Sequence, residues 1–194
     1  MQNLRYPAQA QQEAIVGTSL VSLTVAPTGK LANVSILTSL GKAVDWEVKR
    51  VVQATEKLWL PAYQQPGPDS IMLILPVTFL LGDKNFCVEE VKPDFILSKN
   101  EIVVVGYGQS IAVKDDEYYT THLITALEEK NYKQGLNYVS ELIRRNPYSE
   151  KLYFQRAIIE KQLGQTDEAC RDYKIIMNLL GKKHLPKQFL LNCP

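Results

Sequence analysis

The amino-acid sequence predicts an α+β fold, in which an antiparallel sheet with one packed helix is followed by an all-α domain. Three observations predict it. Strand-like alternation surrounds one amphipathic helix in the first half, a helical pattern repeats at an offset of 34 residues in the second half, and the charge density doubles between them. Residues 1–85 carry 7 basic and 6 acidic side chains, whereas residues 86–194 carry 15 of each. We therefore divide the chain into residues 1–82, a connector at 83–116 and a helical part at 117–194.

The composition of the 194-residue chain excludes several classes of protein. Hydrophobic residues make up 45% and charged residues 22%, values that argue against a disordered chain. The net charge of +1 predicts no nucleic-acid partner. No apolar run reaches the roughly 18 residues of a membrane span, and the N-terminus lacks a signal-peptide pattern. We therefore expect a cytoplasmic protein, or a portion of a longer one whose targeting segment is missing.

Cysteines and histidines give no sign of a metal site or a catalytic centre. Cys87, Cys170 and Cys193 lie far apart, so scattered thiols are the first interpretation and one disulfide in an oxidising compartment is the alternative. His122 and His184 stand in no triad or metal-ligand pattern. We expect no enzyme activity, no cofactor and no bound metal.

A hairpin is the first predicted element. Apolar and polar residues alternate over residues 17–25, as in a half-buried strand. Pro27 and Gly29 favour a turn after this strand. Residues 31–37 then supply a second, antiparallel strand.

A helix and a third strand complete the first part of the chain. From Ala43 the apolar residues recur at helical spacing, and Pro61 ends this helix because proline cannot continue it. A loop rich in proline and glycine follows, and residues 70–81 predict a long strand. Pro76 lacks the N–H of the ladder, so this strand should lie at an edge or bend there.

An ordered set of short motifs accompanies these elements. In chain order they are Tyr6-Pro7 with Ala10, Gly17, Thr28-Gly29-Lys30, Ser39-Leu40-Gly41, Val44-Asp45, Trp59-x-Pro61-Ala62 and Leu75-Pro76-Val77-Thr78-Phe79. In order and spacing the set resembles the C-terminal domain of the TonB family. The resemblance implies a periplasmic protein-binding domain.

The resemblance also implies a partner and a mode of binding. In that family an inner-membrane complex energises the transducer, whose C-terminal domain binds the TonB box, a short segment of an outer-membrane receptor. Physically, an extended peptide completes the ladder of an exposed edge strand. The candidate edge is residues 70–81, and its candidate side chains are Ile71, Leu73, Leu75, Val77 and Phe79. The alternative is that these side chains simply face the core.

The connector contains a β-branched run at residues 101–109 that predicts another strand. Its candidate residues are Glu101, Ile102, Val103, Val104, Val105, Gly106 and Tyr107. The run is similar to the TonB box of the large starch-utilisation-type receptors of Bacteroidetes. A buried strand is the plainer interpretation. The alternative is an internal ligand mimic that adds to residues 70–81 of its own chain or of a neighbouring copy, which would also permit a strand-exchanged homodimer.

Four helices are predicted in the last part, at residues 117–129, 132–145, 149–163 and 166–180. The two pairs superpose at an offset of 34 residues and resemble tetratricopeptide repeats. In that family the first helices of the repeats form a concave, peptide-binding face. The residues that would line it here are Tyr119, His122, Ala126, Tyr153, Arg156 and Glu160. The alternative is that the repeats serve only as a packed spacer, in which these residues are ordinary core or surface side chains.

The sequence therefore favours one function and leaves two others open. The first is the periplasmic part of a TonB-type energy transducer, tethered to the inner membrane by an anchor upstream of this chain, with helical repeats that dock a further partner. The alternatives are a non-energised periplasmic scaffold and the tail of a regulatory sensor.

Overall fold

The computed structural model describes residues 4–59, 70–82, 102–107, 114–179 and 193. The chain divides into two compact units, Met1–Ile111 and Ala112–Pro194. The first holds a four-stranded sheet with helices, and the second is helical throughout its described residues. The predicted α+β fold is thereby confirmed. No helix in the described part of the chain combines the length and the apolar character needed to cross a membrane.

The predicted strands and helix of the first unit appear in the predicted order, and a short N-terminal helix and a 3-10 helix are additional elements. The elements are α1 (Ala8–Gln12), β1 (Gly17–Val25), β2 (Leu31–Ile36), α2 (Lys42–Ala54), a 3-10 helix (Glu56–Leu58), β3 (Ile71–Gly82) and β4 (Ile102–Tyr107). The 3-10 helix takes the last part of the predicted long helix. The predicted Pro61-Ala62 motif, the loop after it and Glu101 lie outside the described residues.

The sheet has the strand order β2-β1-β3-β4. β1 pairs antiparallel with β2, as the sequence predicts, and it also pairs antiparallel with β3. β4 pairs with β3 in parallel, so the sheet is mixed rather than purely antiparallel. Parallel neighbours need a connection of about a dozen residues or more, and residues 83–101 are long enough to provide it.

The core of the first unit lies between one face of the sheet and the apolar stripe of α2. β1 contributes Val21 and Leu23, and α2 contributes Val44 and Val48, all fully buried or nearly so. Phe79 of β3 belongs to the same cluster. Helical spacing on α2 and alternation on β1 therefore place their apolar residues against each other.

The second unit contains α3 (Asp116–Glu128), α4 (Tyr132–Arg145), α5 (Glu150–Gln162) and α6 (Thr166–Leu179). α5 begins 34 residues after α3, and α6 begins 34 residues after α4, so the predicted repetition is present in the helix boundaries. Each helix packs against the next along the chain. The side chains of Asp115 and Asn131 cap α3 and α4 by accepting backbone N–H groups.

A disulfide joins Cys170 of α6 to Cys193. The first interpretation of the sequence, three separate thiols, is wrong for these two residues, and the alternative of one disulfide is correct. The two cysteines are 23 residues apart in the chain, a spacing that says nothing about their proximity in the fold. Cys87 lies outside the described residues.

Candidate partner-binding site

The candidate site is the edge of β3 that faces away from β1. β1 pairs with β3 over the nine residues from Ile71 to Phe79. β4 pairs with the other edge only from Val77 to Gly82, beginning one residue after Pro76. Within the described residues, positions 71–76 of β3 therefore pair with β1 alone, positions 77–79 pair on both sides, and positions 80–82 pair with β4 alone.

The five candidate side chains of β3 divide into two groups. Ile71 and Leu73 are 40% and 38% exposed, and Met72 between them is 53% exposed. Leu75, Val77 and Phe79 are buried in the core, as the alternative interpretation expected. The five side chains share one face of the strand, because side chains alternate between the two faces. The core therefore covers only the second half of that face.

The predicted strand in the connector is present and pairs with β3 of its own chain. Val104 is buried in the core of the first unit, and Ile102 packs against that core. Val103 points the other way and is 38% exposed, and Val105 is half-buried. The segment is thus both a core strand and a strand added to β3. Its role as a ligand mimic stays a prediction, and the side chain of Tyr107 lies outside the described part of the structure.

The backbone of Gly106 lies very close to the side chain of Tyr6, a contact that the sequence did not predict. Gly106 pairs with Leu81 in the parallel register. A Cβ atom built on Gly106 would overlap Cδ1 of Tyr6, and it would lie 2.9 Å from Cε1 of Tyr6 and 3.1 Å from Cδ2 of Leu81. The two distances to Tyr6 are shorter than carbon–carbon contacts in proteins, so a residue other than glycine at this position of β4 would require the Tyr6 ring to shift.

Tyr6 is held in place from several directions. Its hydroxyl donates a hydrogen bond to the carbonyl of Ile15, and its ring meets Phe79 edge to face, with centroids 5.2 Å apart. Burial raises the pKa of the Tyr6 phenol to about 12, so the hydroxyl remains a donor at neutral pH. The side-chain amide of Gln11 also donates to the Tyr6 carbonyl at 3.2 Å. The ring therefore forms a fixed wall of the β4 position.

The segment that carries Tyr6 is also tied to α2. The backbone N–H of Arg5 donates to Glu47 at 2.9 Å, and Arg50 holds the same carboxylate through two hydrogen bonds at 2.8 Å. These bonds lower the pKa of Glu47, with the side-chain hydrogen bond from Arg50 as the largest cause. Glu47 is thus a charged anchor for the residues immediately before Tyr6.

The residues predicted to line a concave face of the repeats occupy different environments. Tyr119 and His122 of α3 and Arg156 of α5 are half-buried. Ala126, Tyr153 and Glu160 are buried in the helical packing. His122 stacks on Tyr118, with ring centroids 3.8 Å apart. Peptide binding by this face stays a prediction.

A buried charge cluster lies between α5 and α6. The guanidinium of Arg156 donates to both carboxylate oxygens of Asp172, at 2.7 and 2.6 Å, and Asp172 is 2% exposed. Glu160 lies 3.8 Å from Arg156, and its Oε2 has no hydrogen-bond partner among the described residues. Burial, reinforced by the charge of Asp172, raises the pKa of Glu160 to about 7. Asp172 was not among the residues predicted from the sequence, although a charged residue on the buried stripe of α6 was a usable signal.

The first unit is thus a mixed four-stranded sheet packed on one helix, in which a strand from the same chain lies in parallel on one edge of β3. Residues 2–81 match the family model of the Gram-negative bacterial TonB protein C-terminal. That domain is a non-enzymatic protein-interaction domain, and the match indicates a TonB-type periplasmic interaction role for this part of the chain. It does not extend to the helical unit, whose resemblance to tetratricopeptide repeats stays a prediction. No curated protein and no solved structure matches the chain.

Proposed function

We propose that the chain is the periplasmic interaction part of a TonB-type energy transducer, and that it binds the TonB box of outer-membrane receptors by strand addition to β3. The observation that supports this proposal is the pairing of β4 with β3. A valine-rich segment similar to a TonB box lies in parallel on the β3 edge, in a continuous register from Val77 to Gly82. The edge is therefore compatible with a ligand of this kind.

The energetics of such binding come mainly from the main chain. A six-residue strand forms a ladder of hydrogen bonds with β3, and apolar side chains on one face enter the core as Val104 does. The net charge of +1 fits a partner that is recognised by its backbone and shape rather than by strong electrostatic attraction.

The first half of β3 adds an exposed apolar surface to the site. Ile71, Met72 and Leu73 are consecutive and partly exposed on both faces of the strand. A receptor strand longer than six residues would continue past Pro76 onto this segment. We therefore propose that residues 71–76 extend the ligand-binding edge beyond the part that β4 occupies.

Two further parts of the proposal concern the remainder of the chain. The helical unit would dock another protein, with Tyr119 and His122 as partly exposed members of the proposed face, whereas Arg156 is held by Asp172 in the buried cluster. An anchor upstream would tether the chain to the inner membrane and its energising complex. The disulfide of the helical unit supports a periplasmic location, because disulfides persist in the periplasm and are rare in the cytosol.

A peptide titration tests the proposed function. The full chain, labelled with ¹⁵N, is titrated with a synthetic peptide that copies residues 101–109. The same peptide is titrated into Val104→Asp, a variant in which a charged side chain at the buried position of β4 opposes its docking. We expect amide shifts in residues 71–82 and tighter binding by the variant, because the β4 position is then vacant.

The control is the same peptide with proline at alternate positions, which removes ladder donors without changing its length. Binding of the control as tight as that of the parent peptide would contradict strand addition. If the amides of residues 71–82 shift in neither protein, the proposed function is wrong. Strand exchange between copies is followed in the same samples by light scattering, which reports a dimer directly.

A further inference from the structure

We propose that Tyr6 determines the specificity of the β3 edge, by admitting only a strand that carries glycine opposite Leu81. The proposal rests on the proposed function, in which an external strand takes the position that β4 occupies. It adds a selection rule for that strand. The rule follows from the register of β4 and from the fixed position of one aromatic ring.

The register defines the positions that an added strand presents to the core. Ile102 lies opposite Val77, Val104 opposite Phe79 and Gly106 opposite Leu81. These three residues share one face of β4, because side chains alternate along a strand. The first two bring apolar side chains to the core, whereas the third brings none. The inward pattern is therefore apolar, apolar, glycine at every second residue.

The third inward position is closed by Tyr6. A Cβ atom there would overlap Cδ1 of the Tyr6 ring and lie 2.9 Å from its Cε1. A flexible side chain would move aside, but Tyr6 is 8% exposed, contacts Phe79 edge to face and bonds to the carbonyl of Ile15. Displacement of the ring would break its hydrogen bond and leave a cavity in the core, and both changes cost free energy. A strand with glycine at this position avoids that cost and is therefore favoured.

The outward positions carry no comparable restriction in the described part of the strand. Val103 is 38% exposed, and Val105 is half-buried. The ligand class is thus an extended segment of six residues, with apolar side chains at its first and third positions and glycine at its fifth. Its second and fourth positions are open to variation.

A cycle of substitutions within the full chain tests, without any external ligand, whether the Tyr6 ring selects glycine at position 106. Gly106→Ala is expected to lower the hydrogen-exchange protection of the amides of residues 102–106 by roughly tenfold or more, because the new methyl group meets the Tyr6 ring. In a Tyr6→Ala background the same substitution should change protection less than about twofold, because the ring is gone. Tyr6→Phe is the matched control, since it keeps the ring and removes only the hydroxyl.

A peptide pair tests the same rule on an external strand. The peptide that copies residues 101–109 and its glycine-to-alanine variant at the position of Gly106 are titrated into the full-length Val104→Asp chain. We expect the glycine peptide to bind at least roughly tenfold more tightly, and we expect that ratio to fall below about twofold when Tyr6→Ala is added.

The outcomes separate the two proposals. Equal binding of both peptides to the chain that retains Tyr6 would show that Tyr6 does not select glycine, and it would leave the proposed function intact. Binding of neither peptide overturns the proposed function, and the cycle within the chain still decides the role of Tyr6. If Gly106→Ala lowers hydrogen-exchange protection equally in the parent chain, in Tyr6→Phe and in Tyr6→Ala, the Tyr6 ring does not select glycine and this proposal is wrong.

Discussion

Single residues in this protein carry strain and charge that the helix pattern alone does not reveal. The two repeats end their first helices alike, with a residue in the left-handed backbone region two positions after the helix. In the second repeat this residue is Gly164, with φ of 76°. In the first repeat it is Lys130, with φ of 57°, a conformation that strains a residue with a Cβ atom.

Lys130→Gly is therefore expected to stabilise the helical unit by about 0.5–1 kcal/mol, the relief of left-handed strain less the entropy that glycine loses on folding. Gly164→Ala is the reverse experiment and should destabilise it by about 1 kcal/mol. A Cβ atom at Gly164 would meet no described atom within 4 Å, so steric overlap is not the cause. Urea unfolding of the full chain measures both effects. A stabilising Gly164→Ala would contradict the strain argument.

Glu160 is the second residue at this scale, because its carboxyl group titrates near neutral pH. Its pKa is raised to about 7, with burial as the largest cause; Asp172 and Glu168 also raise the pKa, and Arg156 and Arg171 lower it. Since the pKa is higher in the folded than in the unfolded chain, the folded chain binds more protons between about pH 4.5 and 7. Stability from this group is present at low pH and is lost as the pH rises through 7.

Glu160→Gln should therefore be more stable than the parent chain at pH 8, by about 1–3 kcal/mol, and should lose much of the decline between pH 5 and pH 8. Unfolding midpoints measured across that range provide the test. Glu128→Gln is the matched control, because it removes an exposed carboxylate from α3 of the same unit. An unchanged slope in Glu160→Gln would show that this carboxyl group does not cause the decline.

At the scale of elements, local patterns predicted most of the fold. The alternation of β1 and the boundaries of α4 are found at the predicted residues, since both depend on neighbours within one strand or one turn. What the sequence could not supply depends on distant contacts. The parallel direction of β4, the disulfide of Cys170 and the wall that Tyr6 presents to Gly106 join segments far apart in the chain.

β1 also shows how position in the sheet modifies a local pattern. Its alternation predicts a half-buried strand, with Val21 and Leu23 facing the core, but Leu20 and Ser22 on the other face are buried as well. β1 lies between β2 and β3, so side chains of both neighbouring strands flank its residues on each face. Hydrophobic alternation therefore identifies the strand and its core-facing side, but it does not predict how much of the other side is covered.

At the scale of the whole chain, the two units have different means of stabilisation. The first has a sheet with a core against α2, and the second consists of two helical pairs in its described residues. Two pairs are fewer than the three that a continuous repeat core generally needs. The disulfide between Cys170 and Cys193 therefore makes a large expected contribution to the helical unit.

Cys193→Ser should accordingly lower the stability of the helical unit by about 2–4 kcal/mol, the usual effect of opening a loop of this size. Calorimetry of the full chain should show the unfolding transition of this unit fall by roughly 10–20 °C, while the transition of the sheet unit stays in place.

The parent chain and the Cys193→Ser variant both carry Cys87→Ala, because this substitution removes the third cysteine and prevents disulfide exchange. A reductant should lower the parent to the level of Cys193→Ser and leave that variant unaffected. Equal shifts of both transitions would mean that the two units unfold as one, against their division at residues 111 and 112.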